Sequence, residues 1–232
     1  MSERTFDDFN QHASQYRKIH TQNVKITGAD SYYFAAYKIE LLKDYENDHP
    51  SRLLDIGCSD GVVETFIEKE FPSFKINAID VSEESISLAN EKQLKNTIFQ
   101  CYDGGILPFN ENLFDIIFVA AVLHHIDFSL HPMFLTEALR VLKPGGRIYI
   151  FEHNPKNPVT RHIVNTCVFD KDAKLLDSKY SISILQNAGF KKISTRFILF
   201  FPRMKWLKPF IKLEKKMASI PYGAQYLISG IK

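Results

Sequence analysis

From Arg52 onward, short β-rich runs alternate with helical stretches, and this alternation restricts the possible folds more than any other feature of the chain. Strands are expected at Arg52–Ile56, Lys75–Asp80, Thr97–Cys101, Asp115–Ala120, Arg147–Glu152, Lys192–Leu199 and Ala224–Gly230. Helices are expected between them at Gly61–Glu70, Glu83–Lys92, Pro132–Leu142 and Ile182–Ala188. Such a pattern favours a mostly parallel sheet covered by helices on both faces. The local punctuation agrees. Ser82 can cap a helix whose first turn carries Glu83 and Glu84, matching the positive end of the helix dipole. Pro132 suits a first helical turn, and Gly189 sits where a helix C-cap belongs. Pro144-Gly145-Gly146 is expected to stop the third helix and turn the chain into the next strand.

Residues 1–50 differ in character. They are polar and aromatic, with helices expected near Phe6–Asn23 and Ser31–Tyr45, and they read as a helical lid over a domain spanning 51–232, the two forming one compact unit. Hydrophobic residues make up 45% of the 232 and charged residues 24%, enough apolar material for an ordinary core. Cys58, Cys101 and Cys167 are odd in number, widely spaced and outside any CxxC, which argues against a disulfide framework and against a zinc site. The N-terminus has no apolar signal region, and Ile116–Leu123 is far below the ~18 apolar residues of a membrane span. A reducing cytoplasm is the expected compartment.

In an open parallel sheet, ligands bind beyond the carboxyl ends of the strands. Leu53-Leu54-Asp55-Ile56-Gly57-Cys58-Ser59-Asp60-Gly61 places there a strand, a tight glycine turn and a helix start. Glycine lets backbone pass close to a ligand, and a helix start offers N–H groups. Asp80 follows Gly61 by 19 residues, at the end of the second strand, where an acid can hold the two hydroxyls of a ribose. It could equally cap the following helix. Turn and acid together point to an adenosine-containing cofactor.

Asp55-Ile-Gly-Cys-Ser-Asp-Gly61 resembles the first motif of the class I S-adenosylmethionine-dependent methyltransferases, with Ser59 in place of the usual middle glycine. The resemblance continues through Asp103-Gly104, Leu123-His124-His125 and Arg140-Val-Leu-Lys-Pro-Gly-Gly146, in the family's order, over roughly residues 52–152. It implies a three-layer Rossmann-like sandwich with a seven-stranded sheet and S-adenosyl-L-methionine as cofactor. The turn Gly57, Cys58, Ser59 and Gly61 would lie under the methionine part, with Asp55 near its amine. Asp80 would hold the ribose and Val81 flank the adenine. Asp103 would face the adenine amine, with Tyr102 or Gly104 beside the ring. Ala121 and His125 would line the sulfonium and the acceptor pocket. An N-terminal helix with an aromatic residue over the cofactor is also implied, and Tyr16 is the candidate.

The expected activity is methyl transfer to a small-molecule or lipid- or sugar-linked acceptor, with a nicotinamide-dependent oxidoreductase or a non-catalytic binding protein on the same fold as alternatives. A histidine titrating near neutrality suits proton removal. His125 is the first candidate base, and Glu152 and His153 compete with it. Asp103-Gly-Gly is also an ordinary turn composition. His153-Asn-Pro-Lys-Asn-Pro158 is expected to break both strand and helix and to open a long loop through Arg161, His162 and Asp170. Asp170 and Asp172 could bind a metal, but two acids in a charged loop are more often solvated, and no metal is expected.

Charge is uneven. Lys191–Lys216 carries a net +8, leaving −6 for the rest of a chain whose total is +2. With Phe197, Phe200, Phe201, Trp206 and Phe210 interleaved, this stretch is expected to be a strand and a surface helix burying its aromatic side. Alternatively, residues 196–216 form a platform for peripheral contact with anionic membrane lipid. No recognisable nucleic-acid module accompanies the charge, so nucleic acid is not favoured.

Overall fold

The structure is a computed structural model and describes residues 16–232 except 168, 169 and 171. Seven strands form one sheet: β1 (Ser51–Ile56), β2 (Phe74–Asp80), β3 (Thr97–Cys101), β4 (Phe114–Ala120), β5 (Leu142–His153), β6 (Lys191–Ile198) and β7 (Gln225–Ile231). Their spatial order is β3-β2-β1-β4-β5-β7-β6. The first five pair in parallel, and β7 inserts antiparallel to both β5 and β6. The result is the Rossmann-like sandwich with a mostly parallel sheet. Because the chain leaves β1 toward β2 on one side and returns to β4 on the other, the switch point lies where β1 and β4 end.

The helices are α1 (Tyr16–Val24), α2 (Ser31–Leu42), α3 (Val62–Glu70), α4 (Glu83–Asn90), α5 (His131–Val141), α6 (Pro158–Thr166) and α7 (Ser178–Ala188). Strand side chains alternate between the two faces, so Leu54, Ile117 and Ile148 enter one core with Leu135 and Leu185, while Leu53, Phe118 and Tyr149 enter the other with Ile39, Leu42 and Ile67. Burial on both faces explains the nearly continuous apolar runs in the central strands. Ile39 and Leu42 make α2 a core layer as well as a cover, beyond the lid role expected for residues 1–50.

Ser82 accepts from Ser85 N–H at 3.1 Å, Pro132 lies in the first turn of α5, and Gly189 (φ 101°) ends α7, as the sequence predicts. Two local expectations are corrected. Strand β5 begins at Leu142, not Arg147, and passes through Pro-Gly-Gly as an irregularity between the Phe114–Leu142 and Ile116–Arg147 pairs. The segment after His153 does form a helix, α6. Pro158 occupies its first turn, where a missing N–H is harmless, and the Asn157 side chain caps it by accepting from Thr160 N–H at 3.0 Å. The residues read as breakers are its start signal.

The basic tail also departs from expectation. In place of one aromatic-burying helix after β6, a 3-10 turn at Lys205–Leu207 runs into a single α-helical turn at Lys208–Ile211, with Pro209 in its first turn, and a further 3-10 turn follows at Glu214–Met217. Phe197 is buried, but Trp206 is 70% exposed and Phe210 45%. Arg196 pairs with Asp44 at 2.7 Å and Arg203 with Glu214 at 3.0 Å. Among the described residues, no helix is long and apolar enough to cross a membrane.

Candidate functional site

The turn after β1 is built on left-handed backbone. Gly57 (φ 86°), Ser59 (φ 51°) and Gly61 (φ 73°) alternate with ordinary residues, and Gly57 and Cys58 donate N–H to Ile79 O at 2.7 and 3.1 Å. A Cβ on Gly57 would meet Val122 Cγ2 at 2.4 Å, so both space and φ demand glycine there. Ser59 holds the same backbone region without being glycine, steadied by its N–H donating to Asp80 Oδ2 at 2.8 Å. Asp60, in the same turn, is held by Arg17 of α1, whose Nε lies 3.0 and 2.9 Å from the two carboxylate oxygens.

Beneath the turn, Asp55 and Glu64 are both buried and face each other as a carboxyl pair. Burial and the charge of Asp80 push Asp55 up to about 7 against the lowering effect of Glu64, and burial together with Asp55 raises Glu64 well above the usual carboxylate range. Asp55 Oδ1 meets no hydrogen-bond donor among the described residues. A cation arriving beside it would favour release of the proton there, and the resulting carboxylate would compensate the cation.

Asp80 is buried at the end of β2 and lines the same cavity. Its oxygens accept from Ser59 N–H and, at 2.9 Å, from Ser82 N–H, so the acid ties the glycine turn to the start of α4 while facing the cavity. Val81, Tyr102 and Gly104 line that wall too. Asp103 is exposed, and its carboxylate accepts from Gly105 N–H at 2.9 Å, closing its own turn.

Beyond β4, Ala121 adopts φ 60° and donates N–H to Phe151 O at 2.8 Å, a strained residue fixed where β4 and β5 end. Glu152, fully buried, accepts from Val122 and Leu123 N–H at 3.2 and 2.8 Å, and His124 Nδ1 donates to it at 2.6 Å. The far side of the His124 ring faces Asp170, with Nε2–Oδ1 at 3.6 Å, and His125 Nε2 lies 3.5 Å from the same oxygen. Burial opposes charge on His124, but Glu152 and Asp170 overcome it and push the imidazole up to about 10. Burial, followed by repulsion from His124, lowers His125 to about 3 and His153 to about 4. At neutral pH the site therefore holds one imidazolium and two neutral imidazoles.

Asp55, Gly57, Ser59, Asp80, the three histidines and Asp170 line one cavity of about 410 Å³, within the usual size range of ligand pockets, whereas Asp60, Gly61, Glu64, Asp103 and Glu152 stand outside its lining. Tyr16 opens α1, but its side chain lies outside the described residues. Several lining or supporting residues escape the sequence: Glu64, the Arg17–Asp60 pair, Asp170 and Lys38. Lys38 reaches the cavity from α2, is 8% exposed and has no acid within ion-pair distance among the described residues. Burial and Arg17 lower its ammonium to about 8. An amphipathic-looking helix offers no signal that one lysine points inward.

Residues 54–150 match the family described as "Methyltransferase domain". That segment is similar to known methyltransferase domains, in line with the resemblance carried by the motifs. The chain is 35% identical over 109 residues to a demethylmenaquinone methyltransferase of Thermotoga maritima, covering 47% of this chain and 46% of that one. The chain thus spans less than half the length of that relative. An uncharacterized protein of Methanocaldococcus jannaschii is 29% identical over 219 residues, with 93% of each chain covered. Among solved structures, a SAM-dependent methyltransferase from Archaeoglobus fulgidus superposes with a TM-score of 0.69 at 17% identity, covering 88% of this chain and 95% of the other. The cavity suits S-adenosylmethionine chemically. One oxygen of its buried acid Asp55 meets no donor among the described residues, glycine backbone stands beside it, and Asp80 follows along the wall.

Proposed function

We propose that this chain transfers the sulfonium methyl of S-adenosylmethionine directly to a small or lipid-linked acceptor carrying an anionic or hydroxyl group. The observation that carries the reading is the single cavity running from the Asp55 end to the Lys38–His125–His153 end. In it, Asp55 would receive the cofactor ammonium, the Gly57–Gly61 backbone its methionine part, Asp80 the ribose, and Tyr102 with Val81 the adenine. Asp103, folded onto its own turn, is the weakest of the expected contacts.

The cofactor supplies an activated methyl, so the protein's task is alignment and exclusion of water. Glu152 acts as a positioning residue: it is consumed by three donors and holds His124 in one orientation. A neutral His125 lowered to about 3 is better suited to orienting an acceptor hydroxyl than to taking its proton. Lys38, cationic at neutral pH and with no acid within ion-pair distance among the described residues, would draw in an acceptor anion. The name of the Thermotoga relative, a demethylmenaquinone methyltransferase, fits an acceptor that is small and lipid-linked. Under the same reading residues 1–50 cover the cofactor, and exposed Trp206 and Phe210 with Lys212, Lys215 and Lys216 rest on an anionic membrane surface where such an acceptor resides.

Calorimetry tests the first half: S-adenosylhomocysteine should bind and NADH should not. The reverse result would replace methyl transfer by a nicotinamide oxidoreductase. Transfer of labelled methyl from S-adenosylmethionine to an extracted small-molecule or lipid pool tests the second half. Tight cofactor binding with no labelled product from any pool would leave a non-catalytic binding protein.

A further inference from the structure

We propose that His124, His125 and Asp170 bind a divalent first-row transition-metal ion, with zinc as the simplest occupant, at the acceptor end of the cavity. Their three ligand atoms, His124 Nε2, His125 Nε2 and an Asp170 oxygen, lie within 4.8 Å of one another. Both histidine nitrogens stand 3.5–3.6 Å from the same Asp170 oxygen. Two ligands bound to zinc at about 2.1 Å with tetrahedral angles are separated by about 3.4 Å, so these two edges already have the length that a shared ion requires.

The surroundings of His124 provide an independent indication. Its Nδ1 donates to the buried Glu152 carboxylate at 2.6 Å, and Glu152 is itself fixed by two backbone N–H groups. That carboxylate–histidine arrangement fixes the tautomer and presents Nε2 as a ligand, the support that metal-binding histidines usually receive. The opposing loop is also tied down, since Lys174 N–H donates to His124 O at 2.9 Å and Asp170 N–H to Cys167 O at 3.2 Å. Two carboxylates, Glu152 and Asp170, are thus buried around two imidazoles, and a divalent cation balances their charge. Two nitrogens and one oxygen favour zinc, iron(II) or cobalt(II) over magnesium or calcium, which prefer all-oxygen sites. Three protein ligands leave the remaining coordination open, and His124, His125 and Asp170 all face the cavity, so an acceptor bearing an oxygen anion would coordinate there.

Metal binding stands apart from the methyl-transfer reading because it is measured without turnover. The full chain is stripped with chelator, then titrated with ZnCl2 by calorimetry and with CoCl2 by visible absorption. One equivalent of zinc, d–d bands of histidine-bound cobalt, and at least a tenfold loss of affinity in Asp170→Asn and in His125→Gln are expected. Glu152→Gln should weaken binding about 10- to 100-fold, and exposed His162→Gln should leave it unchanged. Each variant is checked for S-adenosylhomocysteine binding, which reports the cofactor end of the cavity separately. Substoichiometric zinc on the wild-type chain overturns the proposal whatever the variants do, as does unweakened zinc binding in folded Asp170→Asn.

Discussion

Lys38 sets the stability of the fold against the use of its cavity, and replacing it by Met separates the two. Its ammonium is buried, repelled by Arg17 and only partly offset by Glu152, and it is lowered from 10.5 to about 8. Each pH unit of such a difference corresponds to about 1.4 kcal/mol, so holding the charge in the folded state costs up to roughly 3 kcal/mol. Below pH 8 the lysine is protonated in both folded and unfolded chains, and the folded chain bears the full penalty. Between about 8 and 10.5 the folded chain releases its proton first, and the penalty fades as pH rises. Met keeps a long flexible apolar stem without the charge. Lys38→Met should therefore be more stable by about 1–3 kcal/mol at pH 7, a rise in Tm of roughly 3–10 °C for a chain of this size. The gap should close above pH 10. Thermal unfolding followed by circular dichroism across pH 6–10.5 measures both. In parallel, methyl transfer to an anionic acceptor should fall while S-adenosylhomocysteine affinity holds. A variant less stable at pH 7, or a gap independent of pH, would mean that the folded chain already compensates the ammonium, and the argument for an anionic acceptor would go with it.

Four further outcomes are expected. In wild type, the Asp55–Glu64 pair keeps protons that the unfolded chain gives up, so stability falls as pH rises from the ordinary carboxylate range through about 7. Glu64→Gln should flatten that fall and exceed wild type at pH 8 by on the order of 1–3 kcal/mol in urea unfolding; an unchanged slope would show that the acids do not share a proton. Asp80→Ala should weaken S-adenosylhomocysteine binding by ~1–3 kcal/mol in calorimetry, and unchanged affinity in a folded variant would leave Asp80 as a cap alone. Ala121→Gly, relieving φ 60°, should gain about 0.5–1 kcal/mol in thermal unfolding, a claim that a destabilised variant contradicts. His125→Ala should reduce turnover more than cofactor affinity, and equal loss in both would move its role to the cofactor side.

Much of the sheet can be read in the chain because it is written in local terms. Thr97–Cys101 is predicted to the residue, and Ser82 and Gly189 mark the ends that they were expected to mark. Misreadings occur where one residue type serves opposite purposes. Pro158 reads as a breaker when considered alone and as a starter once Asn157 is seen capping the helix behind it. Pro144-Gly-Gly reads as a stop, yet the strand absorbs it as an irregularity. The tail fails for a different reason. Its helical run ends at Ile211, too short to bury an aromatic side, so nothing local decides whether Trp206 is covered.

The site divides along the same line. Its cofactor end is a sequence-contiguous turn plus one acid at a fixed distance, and such patterns can be read in one dimension. Its acceptor end joins α1, α2, the turn after β4, the end of β5 and the loop at Asp170, which lie far apart in the chain. His124 looks like an adjacent duplicate of His125, and only Glu152, 28 residues later, gives the two rings different protonation and different orientations. Asp170 looks solvated until the loop carrying it is folded back against His124. The residues that choose an acceptor are thus defined by what faces them across the cavity. Lys38 and the His124–His125–Asp170 cluster are therefore where experiments on acceptor chemistry should begin.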